Sequence, residues 1–148
     1  MLKKNLTLAI TVLIPSIFQP CLGEELDLGD IKLETSVYKQ TGARDAMNRI
    51  YIEKVTVKPS RYLNTRSANK INAQLKQLSA SFYAKSRQCN TPPKNIPWGY
   101  EFELLEATDS GDTLTIVFDA TSACAGRHSF KKVIRNFSIQ TGALIPED

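Results

Sequence analysis

Two hydrophobic periods take turns along this chain. Over residues 31–38, Ile31, Leu33 and Thr35 alternate with Lys32, Glu34 and Ser36, the two-residue period of a half-buried strand. A turn follows at Gln40-Thr41-Gly42. Residues 50–58 (IYIEKVTVK) are β-branched and aromatic, and Pro59 stops them because it has no N–H for a ladder. They predict a second strand with a bulge near Ile52. Over residues 65–87 the period lengthens, and Ala68, Ile71, Leu75, Leu78 and Phe82 recur at steps of three and four, the stripe of an amphipathic helix. Asn64, Thr65 or Ser67 can cap its start, and Lys85 and Arg87 suit the negative end of its dipole.

Residues 89–97 hold Pro92, Pro93 and Pro97 and read as a loop. A hairpin comes next. Trp98, Tyr100, Phe102 and Leu104 alternate with Gly99, Glu101, Glu103 and Leu105; after the Asp109-Ser110-Gly111-Asp112 turn, Leu114, Ile116, Phe118 and Ala120 alternate with Thr113, Thr115, Val117 and Asp119. The aromatic row belongs to the inward set, and Glu101, Glu103 and Asp119 to the outward one. Val133, Phe137 and Ile139 predict a further strand, turned at Gln140-Thr141-Gly142 into the tail Ala143, Leu144, Ile145. The letters QTGA occur at Gln40 and Gln140 without matching flanks, so they mark two similar turns and not a repeat. Residues 24–30 read as a loose acidic leader. The expected fold is α+β, an antiparallel sheet of about five strands packed on one long helix.

Residues 1–23 have the order of a secretory signal: Lys3 and Lys4, an apolar run over residues 6–14, then Pro15 and Pro20 before a small-residue cleavage site at Cys21 and Gly23. Phe18, Gln19 and Pro20 before Cys21 do not suit a lipoprotein site. Residues 24–148 would form a single domain, periplasmic or secreted, with no membrane span expected. Losing Lys3 and Lys4 takes the 19 Lys and Arg to 17 against 15 Asp and Glu, a net charge of +2. So mild a balance is no signature of a nucleic-acid partner. Cleavage also removes Cys21 and leaves an even pair, Cys89 and Cys124, which an oxidising compartment would join.

No motif promises chemistry. His128 is the only histidine, with no nucleophile-elbow context at Ser122 or Ser129. Ser36-Val37-Tyr38-Lys39 and Ser129-Phe130-Lys131-Lys132 match the Ser-x-x-Lys of penicillin-binding enzymes, but both fall on predicted strands and no Lys-Thr-Gly accompanies them. Glu101, Glu103 and Asp119 could be drawn as a hydrolase pair, yet carboxylates on a solvated strand face are ordinary. No spacing suits zinc or calcium, and no cofactor is implied. Arg127, His128, Lys131, Lys132 and Arg135 form a basic run that a strand would divide between two faces.

The segments Ala125-Gly126-Arg127-His128 and Asn136-Phe137-Ser138-Ile139-Gln140-Thr141-Gly142-Ala143-Leu144-Ile145 resemble the GGAH and NFDLKTGKxL signature of the C-terminal domain of RsiV-type lysozyme-sensing anti-sigma factors. A related domain accompanies PdaC-type peptidoglycan deacetylases. Lys70-Ile71-Asn72-Ala73-Gln74-Leu75 is similar to that family's KINxxI helix. Ala125 and Arg127 depart from the GGAH pattern, and the two cysteines are an addition to it. The resemblance implies an α+β fold and recognition of a lysozyme-like protein or peptidoglycan, not catalysis. Candidate contacts are Arg127 and His128 in the loop and Glu101, Glu103 and Asp119 on the hairpin. A periplasmic immunity protein against a delivered toxin, a small cell-wall hydrolase and an exported assembly subunit are the competing expectations.

Overall fold

The computed structural model describes residues 23–42, 48–89, 98–124 and 126–146. The expected signal over residues 1–23, apart from Gly23, most of the Pro-rich loop and Ala125 lie outside them. The elements run β1 (Glu25–Asp27), β2 (Lys32–Thr41), β3 (Asn48–Val57), α1 (Thr65–Cys89), β4 (Trp98–Asp109), β5 (Thr113–Cys124), β6 (Arg127–Ser138) and β7 (Leu144–Ile145). All seven strands form one curled sheet in sequence order, with α1 against one face.

Three expectations about the sheet need correction. It has seven strands, not about five. The acidic leader contains β1, which pairs with β2 through Leu26 opposite Leu33 and is closed by the Leu28 N–H donating to the Ile31 carbonyl. The sheet is also not wholly antiparallel: β3 and β4 run parallel, Ile50 beside Tyr100 and Ile52 beside Phe102. The cause is the helix between them. A chain that leaves β3, crosses the sheet through a long helix and returns beside its starting strand re-enters in the same direction. The irregularity expected near Ile52 lies opposite it, where β2 carries Tyr38 as an extra residue between Val37 and Lys39.

The helix forms where its apolar stripe predicts, extended to Cys89. Asn64 caps it, its Oδ1 accepting the Ser67 N–H at 2.9 Å. Ile71, Leu75 and Phe82 are buried beneath it. Phe82 stacks on Phe102 with centroids 4.1 Å apart, and Phe102 on Phe118 at 4.5 Å, so one row of rings runs from helix through β4 to β5. Each such side chain contributes roughly 1.5–3 kcal/mol by burial against about 1 kcal/mol for the cap, so packing and not capping holds the helix down.

Polar groups fix its angle. Asn72 and Ser79 bond to the backbone of β3, and Ser67 donates to the Gln140 carbonyl at 2.7 Å. At its far end Cys89 is joined to Cys124, with Cα atoms 5.1 Å apart, as the cysteine count predicts. That bond ties the end of the helix to the turn between β5 and β6.

Candidate functional site

Strand alternation sends every second residue of β4, β5 and β6 to the face away from α1. Register then builds rows across that face. Glu103 stands directly opposite Asp119, and Asp119 opposite Lys132; Glu101 stands opposite Thr121, and Thr121 opposite Phe130; Ala123 stands opposite His128. Directly opposed side chains have Cβ atoms only about 5 Å apart, where like charges repel. Glu103 and Asp119 thus bring two carboxylates side by side, with Lys132 on the far side of Asp119.

Two neighbouring acids are committed to the fold. Arg49 of β3 grips Glu101, its Nε donating to Oε1 at 2.7 Å and its Nη2 closing the ion pair. Glu53 sits where β3 and β4 part: Oε2 accepts the Leu104 N–H at 2.8 Å and Oε1 the Tyr51 hydroxyl at 3.2 Å. A carboxylate there replaces the strand carbonyl that the ladder has lost.

Beside the acidic row Phe130 is 80 % exposed, and Ile134, four residues on, is exposed on the same face. An aromatic ring held open to water next to a row of carboxylates is the chemistry of a contact surface for a partner with cationic and apolar groups.

The candidate residues are thus partly gathered. Glu101, Glu103, Asp119 and His128 share the outer face, though His128 is two strands from Glu101, roughly 10 Å by strand spacing alone. Arg127 does not join them. It is opposite Cys124 and alternates onto the helix side, with Lys131 and Arg135. In Ser129 and Lys132 the same alternation sends the two ends of a Ser-x-x-Lys match to opposite faces. Among the described residues no three His, Cys, Asp or Glu side chains cluster as for a metal, and no helix is long and apolar enough to cross a membrane.

Two members of the site were not foreseen. Phe130 had a signal: it falls on the opposite parity to Val133 and Phe137, so an inward strand face leaves it outside. Arg49 had none, because its pairing with Glu101 depends on the parallel contact of β3 and β4.

The chain matches no protein-family model and no curated protein.

Proposed function

We propose that the chain is an exported, non-enzymatic binding module whose open sheet face recognises a cell-wall-active protein of the lysozyme type. One observation carries the reading: Phe130, 80 % exposed, lies beside the opposed carboxylates Glu103 and Asp119 on a face that no described element covers. Lysozymes are mostly basic, and a local acidic row orients such a partner more effectively than net charge does. The disulfide suits an oxidising compartment. The resemblance to the lysozyme-sensing domain points the same way, with cell-wall glycan as the other ligand it implies.

The test is whether oxidised protein slows hydrolysis of cell walls by a panel of lysozymes. Saturable inhibition is expected. Unchanged hydrolysis at high micromolar protein would remove lysozyme as the partner; co-sedimentation with the walls themselves would assign the face to glycan.

A further inference from the structure

Among the described residues the outer edge of β6 is open beyond β7. Strand β7 pairs only with Asn136 and Phe137, and Pro146 has no N–H to carry the ladder on. The Ser138 N–H donates to Ala143 and its carbonyl accepts from Gly142, so both its backbone groups face the β7 side. Since β6 pairs with β5 without a register shift, alternation turns the backbone groups of His128, Phe130, Lys132 and Ile134 to that same edge. Among the described residues no strand meets them. The open stretch is roughly 20 Å long, enough for a bound strand of six or so residues.

A groove runs along its inner side. Between α1 and the end of β6 lies a cavity of about 250 Å³ lined by Leu75, Leu78, Arg135, Phe137 and Leu144, and further along one of about 130 Å³ lined by Lys85, Ser129 and Lys131. The charge of the two walls is one-sided. The cations lining the two cavities are Arg135, Lys85 and Lys131, no Asp or Glu lines either, and neither α1 nor β6 contains one. In a chain with 15 carboxylates and a near-balanced total, this separation singles out one wall pair for an anion.

We propose that the β6 edge and this groove bind an extended acidic segment of another protein by strand addition. Register dictates the segment's pattern. Its residues opposite Arg127, Lys131 and Arg135 turn into the groove and carry carboxylates, while the alternate ones lie beside Phe130 and Ile134 and are apolar. The Arg135 guanidinium now holds the Ile134 carbonyl at 2.7 Å, guarding the edge; a carboxylate that draws it away frees that carbonyl for the ladder. A second copy of this chain is disfavoured as occupant, because pairing β6 with β6 would set four cations against four. A nucleic acid offers phosphates but no alternating N–H and C=O groups to match the edge.

The probe is an acetylated, amidated octapeptide of alternating Glu and Val, titrated into the oxidised protein while backbone amides are followed by NMR. Saturable shifts at His128, Phe130, Lys132 and Ile134, weakening with salt, are expected. Lys131→Glu with Arg135→Glu should lower affinity by about tenfold or more and transfer binding to the Lys-Val octapeptide. Lys132→Pro removes one edge donor while the groove charges Lys131 and Arg135 stay, at a position where proline is tolerated, and should also weaken it. The proposal fails if a peptide N-methylated along its pairing edge binds equally well, if a single-stranded oligonucleotide of the same charge binds more tightly, or if no saturable shift occurs by millimolar peptide. The lysozyme assay bears on the acidic row of the outer face, so either reading can fail alone.

Discussion

Asn72 bonds both backbone groups of Val57, its Oδ1 accepting the N–H at 2.7 Å and its Nδ2 donating to the carbonyl at 2.9 Å. Val57 is the last residue of β3 and fully buried, and this one side chain completes both of its hydrogen bonds while locking helix to strand. Asn72→Ala leaves a donor and an acceptor without partners, at a cost of about 2–3 kcal/mol. The melting temperature should drop by about 10 °C. Asn69→Ala, on the exposed face of the same helix, should leave it nearly unchanged.

Gly142 presents the sharper backbone constraint. It has φ of 67°, and a Cβ there would lie 2.4 Å from the Ser67 carbonyl oxygen and 2.9 Å from Ser67 Cα, both backbone atoms. Gly111 has φ of 89° but nothing within 4 Å of the same position. Gly111→Ala should cost about 1 kcal/mol of conformational strain, whereas Gly142→Ala adds a clash and should cost at least twice that, read from denaturant midpoints.

These residues show what local pattern conveys. Gly42 and Gly142, each in a Gln-Thr-Gly, both adopt positive φ, but only the second triplet is the expected turn: Gln40 and Thr41 stay in β2, opposite Tyr51 and Ile50. The β4–β5 hairpin was legible because both strands alternate over a turn-rich link, and the helix because five apolar residues share a stripe. Its limit is Leu105, an extra residue between Leu104 and Glu106 that resets the alternation and brings Ala107 inward. Strand β1 escaped notice because three residues with one inward Leu26 have no period to read. The parallel pairing of β3 with β4 has no local signature, so Arg49 could not be joined to Glu101. The divided basic run follows from strand parity alone, Arg127 sharing the inward parity of Val133 and Phe137.

The disulfide closes a separation of 35 residues between Cys89 and Cys124. In the chain-entropy account a loop of that size stabilises the fold by about 3–4 kcal/mol. Cys89→Ser with Cys124→Ser should lower the unfolding free energy by that amount with little change in far-ultraviolet circular dichroism, since Phe82, Leu75 and Ile71 still anchor the helix. A matching drop on adding reductant to the wild type would assign the loss to the bond.

Burial pushes the Tyr100 phenol above its usual value near 10. The folded state then binds the proton more tightly than the unfolded chain, so stability from this group is complete below about pH 10 and declines as pH rises through the folded value. Other tyrosines and the lysines titrate in the same range, and the difference between wild type and Tyr100→Phe isolates this one. The variant should lose less stability between pH 9 and 11 in paired thermal melts.

On the outer face the register separates residues that loop proximity had grouped, and this makes the binding proposal testable by position. Asp119 stands between Glu103 and Lys132, so Asp119→Asn gives up one repulsive and one attractive neighbour for a neutral group of the same shape and should change stability little, yet it removes a charge offered to a basic partner. Phe130 is 80 % exposed and carries little folding energy, so Phe130→Ser costs nothing in stability and deletes the apolar anchor. Both variants should reduce lysozyme inhibition by about tenfold with melting temperatures unchanged, whereas Arg127→Ala, on the helix side, should inhibit normally. Loss of inhibition in Arg127→Ala but not in Asp119→Asn would move the contact from the sheet face to the turn between β5 and β6.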